Sequence, residues 1–107
     1  MSKKLKAVFD VDGTLITLED KPNYPIINFF KMLESLGFEM HIHSGGGLDY
    51  AKHWADKLGL SAKITPKGDS KLEFDIAVDD SIDEYCWSDT HHNYYINAKV
   101  FIRVCQN

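Results

Sequence analysis

"KAVFDVDGTL", residues 6–15, is an apolar run that closes on Asp10 and Asp12, with Gly13 and Thr14 directly behind. Val8 and Phe9 favour a buried strand, and the glycine after the second aspartate favours a sharp turn. The stretch therefore predicts a strand whose carboxyl end delivers two carboxylates to one edge of a sheet.

Four further runs read as strands: residues 38–43, 62–65, 74–78 and 99–104. Several are apolar almost throughout, as expected where both faces of a parallel sheet are covered. Between the first two runs, Pro25 opens a stretch in which Ile26, Ile27, Phe29, Phe30, Leu33 and Leu36 recur at helical spacing, with Gly37 at the C-terminal cap position. Leu48, Ala51, Ala55 and Leu58 mark a second amphipathic helix that Gly59 ends and Gly45-Gly46-Gly47 precedes. Strands alternating with helices predict right-handed crossovers and a Rossmann-like three-layer sandwich around a mainly parallel sheet. Residues 81–97 carry no readable pattern.

With 107 residues, 44% hydrophobic and 26% charged, residues 1–107 are expected to form a single domain. A net charge of −4 argues against an extended nucleic-acid-binding surface. Cys86 and Cys105 have neither zinc-ligand nor disulfide-framework spacing, which suits a reducing cytoplasm. The basic start is followed by an apolar run too short for a signal-peptide core or a membrane span, so a soluble cytoplasmic protein is expected.

In parallel sheets of this kind, ligands bind beyond the carboxyl ends of the strands. The first run ends in Asp10-Val11-Asp12, the second in Ser44 and the fourth in Asp79-Asp80. Together these groups suit phosphoryl transfer. Asp10 is the candidate nucleophile, since a carboxylate can attack phosphorus and split one displacement into two. Asp12 can protonate the leaving oxygen and later take a proton from water. Asp10, the Asp12 backbone carbonyl and Asp79 offer hard oxygen ligands to Mg²⁺, with Asp80 as a further candidate. Ser44 and Gly45, ahead of a helix, can meet phosphate oxygens through hydroxyl and backbone N–H groups. A lysine is expected to complete the charge balance.

On these residues the chain resembles the haloacid dehalogenase superfamily of phosphotransferases. Asp10-Val11-Asp12-Gly13-Thr14 matches its first motif, His41-Ile42-His43-Ser44 its second, and Ile76-Ala77-Val78-Asp79-Asp80 its fourth. The third motif is a lone lysine. Lys71, shortly before the acidic strand, is the first choice, Lys67 the second, and Lys63 a nearby competitor. The resemblance spans residues 5–80 and implies a Mg²⁺-dependent phosphatase. Asp12 favours phosphatase over dehalogenase, whose members lack it. Only residues 16–25 separate the first motif from the first helix, room for a small flap and no cap domain. A capless, open site implies a bulky phosphorylated substrate, a polymer end for example, or cover supplied by oligomerisation. The competing reading is a catalytically silent or regulatory module that keeps the metal and phosphate site. Receiver domains use similar groups but in the opposite chain order.

Other conspicuous residues read as structural. His41 and His43 alternate along a strand and are expected to be ordinary strand residues, because Mg²⁺ prefers oxygen. Trp54 and Phe29-Phe30 read as helix packing, His91-His92 as a solvated loop, and Tyr85, Trp87, Tyr94 and Tyr95 as packing or a subunit contact. Gly45-Gly46-Gly47 lacks the Gly-Lys-Ser/Thr of a phosphate-binding Walker loop.

Overall fold

The computed structural model describes residues 4–69, 71–80 and 96–105. The elements run β1 (Lys6–Asp10), α1 (Tyr24–Ser35), β2 (Glu39–His43), α2 (Leu48–Leu58), β3 (Lys63–Ile64), β4 (Glu73–Asp79) and β5 (Asn97–Arg103). They form one five-stranded sheet in the order β3-β2-β1-β4-β5, parallel throughout. This is the expected α/β, Rossmann-like architecture. The last strand, whose direction the sequence leaves open, lies parallel along β4.

β1 is central and therefore apolar on both faces: Ala7, Val8 and Phe9 are completely buried. Both helices pack into one cluster with it. Ile27, Phe30 and Leu33 from α1 and Ala51, Trp54 and Ala55 from α2 meet Phe9, Ile42 and Val78 there, and the rings of Phe9 and Phe30 meet edge to face at 5.1 Å. Each fully buried side chain of this size contributes about 1.5–3 kcal/mol. A smaller cluster of Val8, Phe74, Ala77 and Ile96 lies apart from the helices. Gly59 ends α2 because its left-handed φ of 71° lets the chain turn back, and Leu60 N–H then bonds the Ala55 carbonyl at 2.9 Å.

Between β1 and α1 the chain makes only a small flap. Isolated bridges join Asp12 to Ile16 and Ile16 to Pro22, and Thr17 N–H bonds the Lys21 carbonyl at 2.7 Å. No cap domain is present among the described residues. No helix among them is long and apolar enough to cross a membrane. Cys86, Tyr85, Trp87, His91, His92, Tyr94 and Tyr95 lie outside the described residues.

Candidate active site

Register assembles the site. Phe9 is the partner of both Ile42 on β2 and Val78 on β4, and Asp10 is the partner of His43. Neighbouring residues along a strand point to opposite faces. Phe9, Ile42 and Val78 join the helix-side cluster, so Asp10, His43 and Asp79 form the next row, across three strands and on the other face. These are the last strand residues of β1, β2 and β4.

Asp10 is 4% exposed and Asp79 fully buried. The Lys67 ammonium, itself buried, lies 3.0 Å from Asp10 Oδ1 and 3.0 Å from Asp79 Oδ2. One cation thus serves two buried anions, with Asp80 adjoining. Burial pushes the Asp10 carboxyl up to about 7, the Asp79 charge adds to the rise, and Lys67 opposes it. Burial, and then the charge of Asp79, raise Asp80 as well. A donor set of this kind, with more negative charge than its lysine neutralises, suits a divalent cation. Asp10, Asp79 and the Asp12 backbone carbonyl are the oxygen groups that could hold one.

The lysine assignment changes. Lys67 follows β3 and so emerges at the carboxyl edge of the parallel sheet, among Asp10 and Asp79. Lys71 precedes β4 and lies at the opposite edge, where it lines a cavity of about 370 Å³ with Lys6, Glu73 and Lys99. Lys63 pairs with Glu39 at 3.2 Å, away from the site. The preference for Lys71 as the site lysine is therefore corrected to Lys67.

Ser44 is buried at the end of β2. Its Oγ accepts the Gly46 N–H at 3.0 Å and its carbonyl accepts the Gly47 N–H at 3.1 Å. Those two amides are spent on shaping the loop. Asp12, by contrast, is exposed at the mouth. Its Oδ1 accepts a hydrogen bond of 2.6 Å from the Tyr50 hydroxyl on α2. That bond, with some desolvation, pushes the Tyr50 phenol up to about 12, so it remains a donor.

Gly13 is fixed by its surroundings. Its φ of 75° lies in the left-handed region, and a Cβ built there would overlap the Asp80 carboxylate. Gly13→Ala is expected to cost about 1–3 kcal/mol from backbone strain alone, with Asp80 displaced in addition. Urea unfolding of the two proteins checks the first effect. An unchanged midpoint would contradict the close approach.

Sequence reasoning missed Tyr50 and undervalued His43. Tyr50 is half-buried at the border of the apolar stripe of α2, and its signal is only that an aromatic residue in the first turn of a helix stands directly behind a site loop. His43 is not an ordinary strand residue. Its Nε2 is buried without a hydrogen-bond partner and lies 3.9 Å from Asp79 Oδ2, too far for a hydrogen bond. Burial, and then Lys67, hold its ring neutral by lowering its pKa to about 3. With Asp10 and Asp79 it offers three ligand atoms within 4.8 Å of one another. His41 Nε2 is 2.7 Å from Glu39 Oε2 and its ring packs edge-on against Phe74, but its Nδ1 is buried without a hydrogen-bond partner, so only one of its two ring nitrogens is satisfied as expected. No protein-family model matches the chain, and no match is found among curated proteins.

Proposed function

We propose that the protein is a Mg²⁺-dependent phosphomonoester hydrolase working through an aspartyl-phosphate on Asp10. The observation that carries this reading is that Lys67, in the segment after β3, lies 3.0 Å from both Asp10 and Asp79 at the ends of β1 and β4, with Asp12 two residues beyond the nucleophile.

An Asp10 carboxylate oxygen attacks phosphorus while the bond from phosphorus to the ester oxygen breaks. Asp12 gives its proton to that departing oxygen. Water then attacks the phosphorus of the acyl phosphate, Asp12 takes the water's proton, and inorganic phosphate leaves with Asp10 restored. Lys67 holds Asp10 and Asp79 in place and offsets their charge. Ser44 and Gly45 receive phosphate oxygens at the start of α2. Asp10, Asp79 and the Asp12 carbonyl would hold Mg²⁺, which would supply the positive charge that lets a phosphate dianion approach these carboxylates.

Among the described residues only the small flap borders the mouth, which supports a bulky phosphorylated substrate, or a second copy of the chain as cover. Release of inorganic phosphate from sugar phosphates, nucleotides, phosphopeptides and phosphorylated oligonucleotides tests the reading. Turnover is expected with Mg²⁺ and is expected to fall by about two orders of magnitude or more in chelator. Mg²⁺ binding with no turnover on any of these esters would replace the enzyme by a regulatory module built on the same site.

A further inference from the structure

We propose that Tyr50 is the positioning residue for Asp12, holding its carboxylate in the one orientation from which it exchanges a proton with the leaving group. The inference rests on the phosphatase reading above and assigns a role that the strand-end motifs do not contain.

The backbone of Asp12 is already fixed. Thr14 N–H and Ile16 N–H both bond the Val11 carbonyl at 3.1 Å, so the Cα of Asp12 is held in a tight turn. Its side chain is not held in the same way. An exposed aspartate samples several staggered χ1 wells, and a general acid that samples three wells is correctly aimed only part of the time. The bond from Tyr50, at 2.6 Å across 38 residues of sequence, selects one of them.

Tyr50 is in turn seated by the glycine loop. A Cβ built on Gly46 would lie 3.0 Å from Cγ and from Cδ2 of the Tyr50 ring, tighter than ordinary contact. The absence of a side chain at Gly46 is what lets the ring come down over the loop. Gly46 N–H is held by Ser44 Oγ. The loop that meets the phosphate and the arm that aims Asp12 are therefore one unit, set by Ser44, Gly46 and Tyr50.

The division of labour on Asp12 follows. Oδ1 receives the Tyr50 hydrogen, so Oδ2 is the oxygen that carries the transferable proton. In the first step the proton passes from Oδ2 to the leaving oxygen as its bond to phosphorus breaks. In the second Oδ2 takes a proton from water, and the Tyr50 hydroxyl keeps its own throughout. A single hydrogen bond between partly exposed groups adds little to stability, so Tyr50→Phe is expected to fold.

Leaving-group dependence separates aiming from bulk. Single-turnover leaving-group release, which isolates the first step, is measured with an alkyl phosphate, whose departing alkoxide needs a proton, and with p-nitrophenyl phosphate, whose phenolate does not. General acid catalysis contributes about 10²–10⁴-fold. Tyr50→Phe is accordingly expected to slow the alkyl ester about ten- to a hundredfold and the aryl ester about threefold or less, with KM nearly unchanged. Gly46→Ala, which pushes the ring off its seat, is expected to show the same selectivity with a smaller loss. Equal loss on both esters, or no loss on either, in variants with an unchanged unfolding midpoint would overturn the proposal while leaving the phosphatase intact. A wild-type protein that releases no phosphate from either ester would overturn both.

Discussion

Asp10→Asn is expected to abolish phosphate release, by about 10⁴-fold or more, because removing the nucleophile removes the covalent route and not merely a contact to it. The same substitution is expected to stabilise the metal-free protein at neutral and higher pH. The folded chain keeps a proton on Asp10 up to about pH 7, whereas an unfolded aspartate gives it up near 3.8. Between those values the folded state binds more protons than the unfolded one, so stability is lost as pH rises through the window. Asparagine has no such proton and flattens the slope. In chelator, the melting temperature of the variant should therefore exceed that of wild type above about pH 7 and lose its advantage toward pH 4. His43 acts with the opposite sign. Its folded pKa of about 3 against 6.5 unfolded removes stability as pH falls below 6.5, but it is common to both proteins and cancels in the difference. Activity loss with an unaltered melting profile would mean that burial does not raise the Asp10 carboxyl in the folded chain. Retained turnover would remove it as nucleophile.

The parts of the site legible in the sequence were those written into strands. Phe9, Ile42 and Val78 are apolar residues one step before a polar one, and parallel register alone carries Asp10, His43 and Asp79 to a common row. Lys67 was legible too, by a directional argument that proximity to the acidic strand obscured. A residue just after a parallel strand emerges at the carboxyl edge, and one just before a strand lies at the amino edge. Lys71 precedes β4, whose seven residues span roughly 20 Å at about 3.3 Å each, so it starts a full strand away from Asp79. Tyr50 and Gly46 were illegible for a different reason. Their contact with each other and with Asp12 depends on how α2 is placed over the β1 turn, and helical periodicity reports only the face that α2 buries. The contact between Gly13 and Asp80 is of the same kind, since it joins loops 67 residues apart that only the β1–β4 pairing brings together.

Lys67 is where the corrected assignment is most exposed to test. Lys67→Met is expected to destabilise the metal-free protein at pH 8 by about 3–5 kcal/mol, because it leaves the buried Asp10 and Asp79 carboxylates without their cation, and an uncompensated buried charge costs far more than an exposed pair contributes. Lys71→Ala, at an exposed position on the far edge, is expected to change stability by no more than about 0.5 kcal/mol. Urea unfolding of the two variants beside wild type makes the comparison. A domain of this kind has only about 5–15 kcal/mol in total, so the Lys67 variant sits near the limit of folding, and Lys67→Arg keeps the question answerable if methionine fails. Arginine retains the charge but not the compact ammonium that sits 3.0 Å from both carboxylates, so it should recover part of the loss. The size of the effect should also fall with pH. As Asp10 takes up a proton below about pH 7, only Asp79 still needs the cation, and the difference between Lys67→Met and wild type should narrow. A difference independent of pH would mean that Lys67 contributes by packing its stem. A larger loss from Lys71→Ala than from Lys67→Met would return the site lysine to the position first chosen from the sequence.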